Sequence, residues 1–250
     1  MANLRGVFPG AFTAGNLLCG YLALLSCLNG HPVQAAWLVT LAAFLDGLDG
    51  FVAKVSRGAT RFGIELDSLA DAVSFGAAPA VILFAFKIPF LGPWNWLLGA
   101  VFLLSGTLRL ARFNLFATRE EKRSFVGLPV PAAAVSLVGY MIFSDFLYGA
   151  LRFHELVVTM VIGYSLLMVS SIEFEARPHT FSTVRDRVKL LYILLSILAI
   201  ILWPALAIFP VTLGYIAYGL LREGYVMVRG TRPSTLHPPR AKKGGQQPGV

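Results

Sequence analysis

The sequence predicts an all-α integral membrane protein of about eight transmembrane helices. Three observations carry that reading. Of the 250 residues, 56% are hydrophobic and the mean hydropathy is +0.70, above the apolar share of an ordinary soluble domain. The apolar residues fall in runs near the length a helix needs to cross a bilayer. The 21 Lys and Arg residues also distribute unevenly between alternate loops, as the positive-inside rule requires.

Candidate spans cover residues 11–29, 34–54, 65–86, 94–113, 129–149, 153–172, 188–203 and 205–222. The first is read as a retained span because further apolar segments follow it at once. The last two form one apolar run interrupted by Trp203-Pro204 and Phe209-Pro210. That run is too long for one crossing, so a tight Pro-containing turn is expected inside it. With this count, 19 of the 21 basic residues fall on one side, leaving Lys87 and Arg152 on the other. Merging the last two spans would place the basic C-terminal segment on the wrong side. Both chain ends are therefore expected in the cytoplasm of a multi-pass cell-membrane protein. Residues 1–225 read as a membrane catalytic domain and 226–250 as a basic, Pro- and Gly-rich tail. A net charge of +8 in such a chain fits anionic lipid headgroups. No soluble basic face is visible, so nucleic acid is not an expected partner. Cys19 and Cys27, eight residues apart on one span, read as buried thiols that do not form a disulfide.

Chemistry concentrates in residues 46–71, DGLDGFVAKVSRGATRFGIELDSLAD. Asp46 and Asp49 close the second span, and Asp67 and Asp71 open the third. Spacings of three and four residues put each pair on one helix face. A short connection makes the two spans antiparallel neighbours, so the pairs lie at similar depth. Carboxylates at a membrane edge are costly and mark function. Four packed together must be protonated or hold a cation, and their hard oxygens suit Mg²⁺, Mn²⁺ or Ca²⁺. Gly50 and Gly63 flank the pairs and leave room for a helix or a bulky ligand. Arg109 and Arg112, three residues apart at the cytoplasmic end of the fourth span, suit phosphate or carboxylate. Asn114 is a polar group at the same edge. Asn16 in the first span reads as a helix cap or a packing residue, and Ser68 and Ser74 as hydroxyls bonded back to their own helix.

The spacing Asp46-x-x-Asp49-Gly50-x-x-Ala53, then Gly63-x-x-x-Asp67-x-x-x-Asp71, resembles the signature of the CDP-alcohol phosphatidyltransferases. Lys54 stands where that family usually has Arg, which keeps the charge and loses the planar fork. Further blocks at 15–20, 65–80, 109–114 and 125–134 are similar to the serine-using branch found in Gram-positive bacteria and archaea. The resemblance spans roughly residues 10–175. It implies a six-helix family core and transfer of a phosphatidyl group from CDP-diacylglycerol to L-serine, with CMP released. It also implies Asp46, Asp49 and Asp67 as metal ligands and Asp71 as general base with metal contact. Gly50, Ala53, Lys54, Arg57 and Gly63 would line the nucleotide-lipid site. Arg109, Arg112 and Asn114 would meet phosphate or the serine carboxylate. One or two divalent cations and a homodimer are further implications. Two other readings stay open: the same chemistry on glycerol 3-phosphate, an inositol phosphate or choline, and a cation-coupled transporter, which would also carry intramembrane carboxylates.

Overall fold

The computed structural model describes residues 4–56, 61–117, 125–174 and 184–229. Helices α1 (Leu4–Leu28) and α2 (Pro32–Ser56) form an antiparallel hairpin. Gly30 (φ 79°) turns the chain in the left-handed region, and Pro32 opens α2 at the position where a missing N–H costs nothing. The third span begins as α3 (Arg61–Asp71), widens into a π-helical segment (Ala72–Ala77) and ends as α4 (Ala78–Ala85). A 3₁₀ segment, Pro89–Trp94, leads into α5 (Asn95–Ala117). There follow α6 (Val130–Tyr148), α7 (His154–Val169), α8 (Val184–Leu202) and α9 (Pro204–Arg229).

Among the described residues, six helices are long and apolar enough to cross a membrane: Gly10–Leu28, Pro32–Val52, Phe62–Ala85, Pro89–Leu115, Val130–Tyr148 and Pro204–Tyr225. Two shorter apolar helices, His154–Val169 and Tyr192–Leu202, occupy the sixth and seventh places in the predicted order. The long final run does break at Trp203, with Pro204 as the first residue of α9. Pro210 is carried inside that helix, so only the first of the two Pro sites ends a span.

The interior is built where α1, α2, the π-helical segment, α4, α5, α6 and α7 meet. Phe75, Phe102, Leu137, Met141 and Met168 are fully buried there. In a bilayer, helix association depends on close van der Waals contact, because lipid is as apolar as leucine. Two glycines show how close the contact is. A Cβ at Gly20 of α1 would lie 2.8 Å from the Cα of Ser74, and one at Gly99 of α5 would lie 2.7 Å from the carbonyl oxygen of Ala80. On the outside, Phe44, Leu69, Leu104, Leu115, Leu166, Ile201 and Leu221 expose large apolar side chains, as a lipid-facing surface does. Helix α9 packs on α6, with Phe209 against Tyr140 at a ring separation of 5.1 Å. Helix α8 packs against α9.

A small clip closes the basic end of the bundle. Residues Phe125–Val126 (β1) pair antiparallel with Glu173–Phe174 (β2). Next to it, Gly127 N–H donates to Ile172 O (2.8 Å) and Leu128 N–H to Leu167 O (3.1 Å). Gly127 has φ +83°, and a Cβ there would collide with the carbonyl oxygen of Met168. Backbone strain and the clash together predict that Gly127→Ala lowers stability by about 1–3 kcal/mol. A fall in the apparent melting temperature in detergent checks this, and an unchanged transition would remove Gly127 from the clip.

Candidate active site

The site forms where α2, α3, α1 and α5 converge. Asp46 and Asp49 lie near the C-terminal end of α2, Asp67 and Asp71 in the second half of α3. The spacings of three and four put each pair on one face of its helix. Asp46, Asp67 and Asp71 each offer a carboxylate oxygen, and these oxygens lie within 4.8 Å of one another. Asp71 is 8% exposed, and Asp46 and Asp67 are half-buried.

Asp49 is held differently. Thr13 of α1 donates a hydrogen bond to its Oδ2, while its Oδ1 is buried with no hydrogen-bond partner. It lies within electrostatic range of Asp46 and Asp67. At an effective dielectric of about 20, two full charges ~5 Å apart repel by roughly 3 kcal/mol. Acceptor-only oxygens converging at that spacing, plus an orphaned carboxylate oxygen beside them, fit a divalent cation. Asp46, Asp67 and Asp71 would hold it, with Asp49 adjoining.

Asn16 of α1 is fully buried and donates through Nδ2 to Asp71 Oδ1 (3.1 Å). It sits in mid-helix, so the cap reading from sequence is corrected. Ser74 Oγ donates across the helix contact to Asn16 O (2.9 Å), not to its own helix. Thr13, Asn16 and Gly20 follow one another at spacings of three and four. That stripe on one face of an apolar helix was the available signal for them.

The structure separates the two arginines of α5. Arg109 is 7% exposed, its Nε is buried without a hydrogen-bond partner, and it lies within electrostatic range of Asp71 and Tyr215. Arg112 points to the clip, donating to Val169 O (3.0 Å) and Ser170 O (2.9 Å) at the end of α7. It thereby satisfies carbonyls that a helix terminus leaves open. Asn114 ties α5 to α3: Ser68 Oγ donates to Asn114 Oδ1 (3.1 Å), and Asn114 Nδ2 reaches Glu65 Oε2 (3.4 Å). Ser68 is thus an interhelical contact, not a back-bond. A Cβ at Gly50 would meet no atom within 4 Å, so open space lies beside the second aspartate. Gly63 is on the first turn of α3. Ala53 and Lys54 belong to the last turns of α2, but their side chains lie outside the described residues, as does Arg57 altogether.

Three of the buried polar atoms without a partner, Asn16 Oδ1, Asp49 Oδ1 and Arg109 Nε, belong to this one site. Buried orphans are rare in folded proteins, and their concentration in one place marks a surface built for something else to bind.

The family model for CDP-alcohol phosphatidyltransferase matches residues 6–169, which includes every residue of this site. The chain belongs to the CDP-alcohol phosphatidyltransferase family. Membership sets aside the transporter reading. Among curated relatives, the CDP-diacylglycerol–serine O-phosphatidyltransferase of Helicobacter pylori (strain ATCC 700392 / 26695) is 34% identical over 227 residues, covering 89% of this chain and 93% of the relative. The protein of that name from Mycobacterium leprae is 35% identical, covering 86% and 74%. Archaetidylserine synthase of Methanothermobacter thermautotrophicus is 34% identical over 168 residues, covering 66% and 68%.

Proposed function

We propose that this family member transfers the phosphatidyl group of CDP-diacylglycerol to the hydroxyl of L-serine, giving phosphatidylserine and CMP. The observation that carries the reading is the convergence of Asp46, Asp67 and Asp71, drawn from both halves of the family motif. The serine acceptor rests on relatives that bear that name across most of this chain.

Asp71 accepts the proton of the serine hydroxyl. The freed oxygen attacks the phosphorus that carries diacylglycerol, and the bond from that phosphorus to the CMP oxygen breaks. Charge then builds on the departing CMP. A divalent cation, Mg²⁺ or Mn²⁺, held by Asp46, Asp67 and Asp71 would supply positive charge to offset what develops on the leaving group. The open space beside Gly50 admits the nucleotide-lipid head, and the family motif assigns Ala53, Lys54, Arg57 and Gly63 to its binding. Arg109 receives the serine carboxylate or a phosphate oxygen, since a buried guanidinium with an unused donor suits either. Arg112 is engaged with α7 and holds the site's wall.

Placement in the cell membrane with the site facing the cytoplasm belongs to the same proposal. It is supported by the uneven distribution of Lys and Arg, with Lys87 and Arg152 in loops at the opposite end. A homodimer, as in the sequence reading, is testable by mass measurement in nanodiscs.

CMP release from CDP-diacylglycerol, measured with serine, glycerol 3-phosphate, inositol phosphate and choline, tests the acceptor. Serine alone should support turnover and yield phosphatidylserine; a product only from another alcohol overturns the assignment. In the same assay Arg109→Lys should raise the KM for serine about 10-fold or more while leaving the lipid KM near its normal value. The opposite pattern would move Arg109 to the donor phosphate.

A further inference from the structure

Among the described residues, Asn16 is the one buried amide that touches the catalytic carboxylates, and the proposed reaction gives it no task. Its burial is complete, and its Oδ1 has no partner. An apolar side chain at this depth in a membrane helix would avoid that unsatisfied acceptor altogether. The amide's orientation is nevertheless dictated. Nδ2 donates to Asp71 Oδ1, and turning the amide over would set acceptor against acceptor.

The backbone beneath it is locked as well. Ser74 Oγ holds the Asn16 carbonyl at 2.9 Å, and Gly20, one turn along, is what lets α1 close onto Ser74. Ser74 lies in the π-helical segment that begins directly after Asp71. Such segments are uncommon and frequent at functional sites. The span that carries Asp71 therefore grips α1 through a hydroxyl three residues further on, and α1 returns a hydrogen bond to the carboxylate.

We propose that Asn16 is a positioning residue for the reaction. By occupying one oxygen of Asp71 it holds the carboxylate in a single rotamer, so that the other oxygen is presented to the acceptor hydroxyl. Ser74 and Gly20 keep Asn16 in register. This rests on Asp71 acting as the base.

The test is a double-mutant cycle on CMP release in detergent-purified protein, with folding followed by thermal melting and Mn²⁺ binding by EPR. Asn16→Ala should lower kcat about 10- to 100-fold at saturating Mn²⁺, with both KM values held within about twofold. On an Asp71→Asn background the same change should cost no more than about twofold, because Asn16 has then lost the group through which it acts. Ser74→Ala, a deletion that leaves no large cavity, should lower kcat about threefold and show the same loss of effect on that background. Losses that multiply between Asn16 and Asp71, a raised KM with normal kcat, or full activity in Asn16→Ala each overturn the proposal. Near-normal turnover in Asp71→Asn alone would overturn the base assignment and this inference with it. Multiplying losses beside an inactive Asp71→Asn would leave the base in place and remove Asn16.

Discussion

Asp71→Asn is expected to lower CMP release about 10³-fold or more while CDP-diacylglycerol still binds. A positioned general base contributes roughly 10²- to 10⁴-fold. Asp71 stands at the upper end of that range because its carboxylate also belongs to the three-oxygen cluster. The substitution suits the question because it preserves shape. Asparagine still offers an Oδ1 to the Nδ2–H of Asn16, so the contact between α1 and the third span survives. What disappears is the ability to take a proton. Asp67→Asn is the control, since that residue is held in the cluster without the Asn16 contact. Its loss should show mainly as a higher metal concentration for half-activity. Turnover near the wild-type rate in Asp71→Asn would place the base elsewhere.

Removing divalent metal is the second large effect. Chelation with EDTA should bring CMP release to background, a loss of at least about 10³-fold, and Mg²⁺ or Mn²⁺ should restore it. The reason lies in the geometry. Oxygens of Asp46, Asp67 and Asp71 lie within 4.8 Å of one another, with Asp49 Oδ1 orphaned nearby, and among the described residues Asn16 is the donor they are given. A cation relieves their mutual repulsion, so binding should also raise the apparent melting temperature, by mass action on the folded state. That second readout is independent of catalysis. The shift should vanish in a protein carrying both Asp46→Asn and Asp67→Asn. A melting temperature that ignores Mn²⁺ in the wild-type protein would remove the metal from this cluster.

The membrane spans could be read from sequence because each is a local signal. A run of apolar residues of bilayer length ends at a Pro, a Gly or a charged cluster, as at Gly30-His31-Pro32 and Trp203-Pro204. The aspartate pairs could be read for the same reason, since spacings of three and four select one helix face without reference to anything else. So could family membership, which depends on the order of residues along the chain.

Interactions between helices could not be read that way. Asn16 and Asp71 lie 55 residues apart, and nothing near Asn16 in the chain reveals that its partner is a carboxylate. Ser68 and Ser74 are hydroxyls in one span, yet one bonds to Asn114 of α5 and the other to the backbone of α1. Arg109 and Arg112 share a face by spacing alone. A single turn of helix divides them between a buried place near Asp71 and the exposed carbonyls at the end of α7.

By itself, then, the sequence determined that this is a multi-helix membrane enzyme of the CDP-alcohol phosphatidyltransferase family, with its acidic motif at the end of two adjacent spans. Only the tertiary structure decided which three carboxylates converge, that Thr13 holds the fourth, and that α1 supplies a partner to Asp71. Periodicity along a helix assigns a side chain to a face, but the neighbouring helix determines what that face meets.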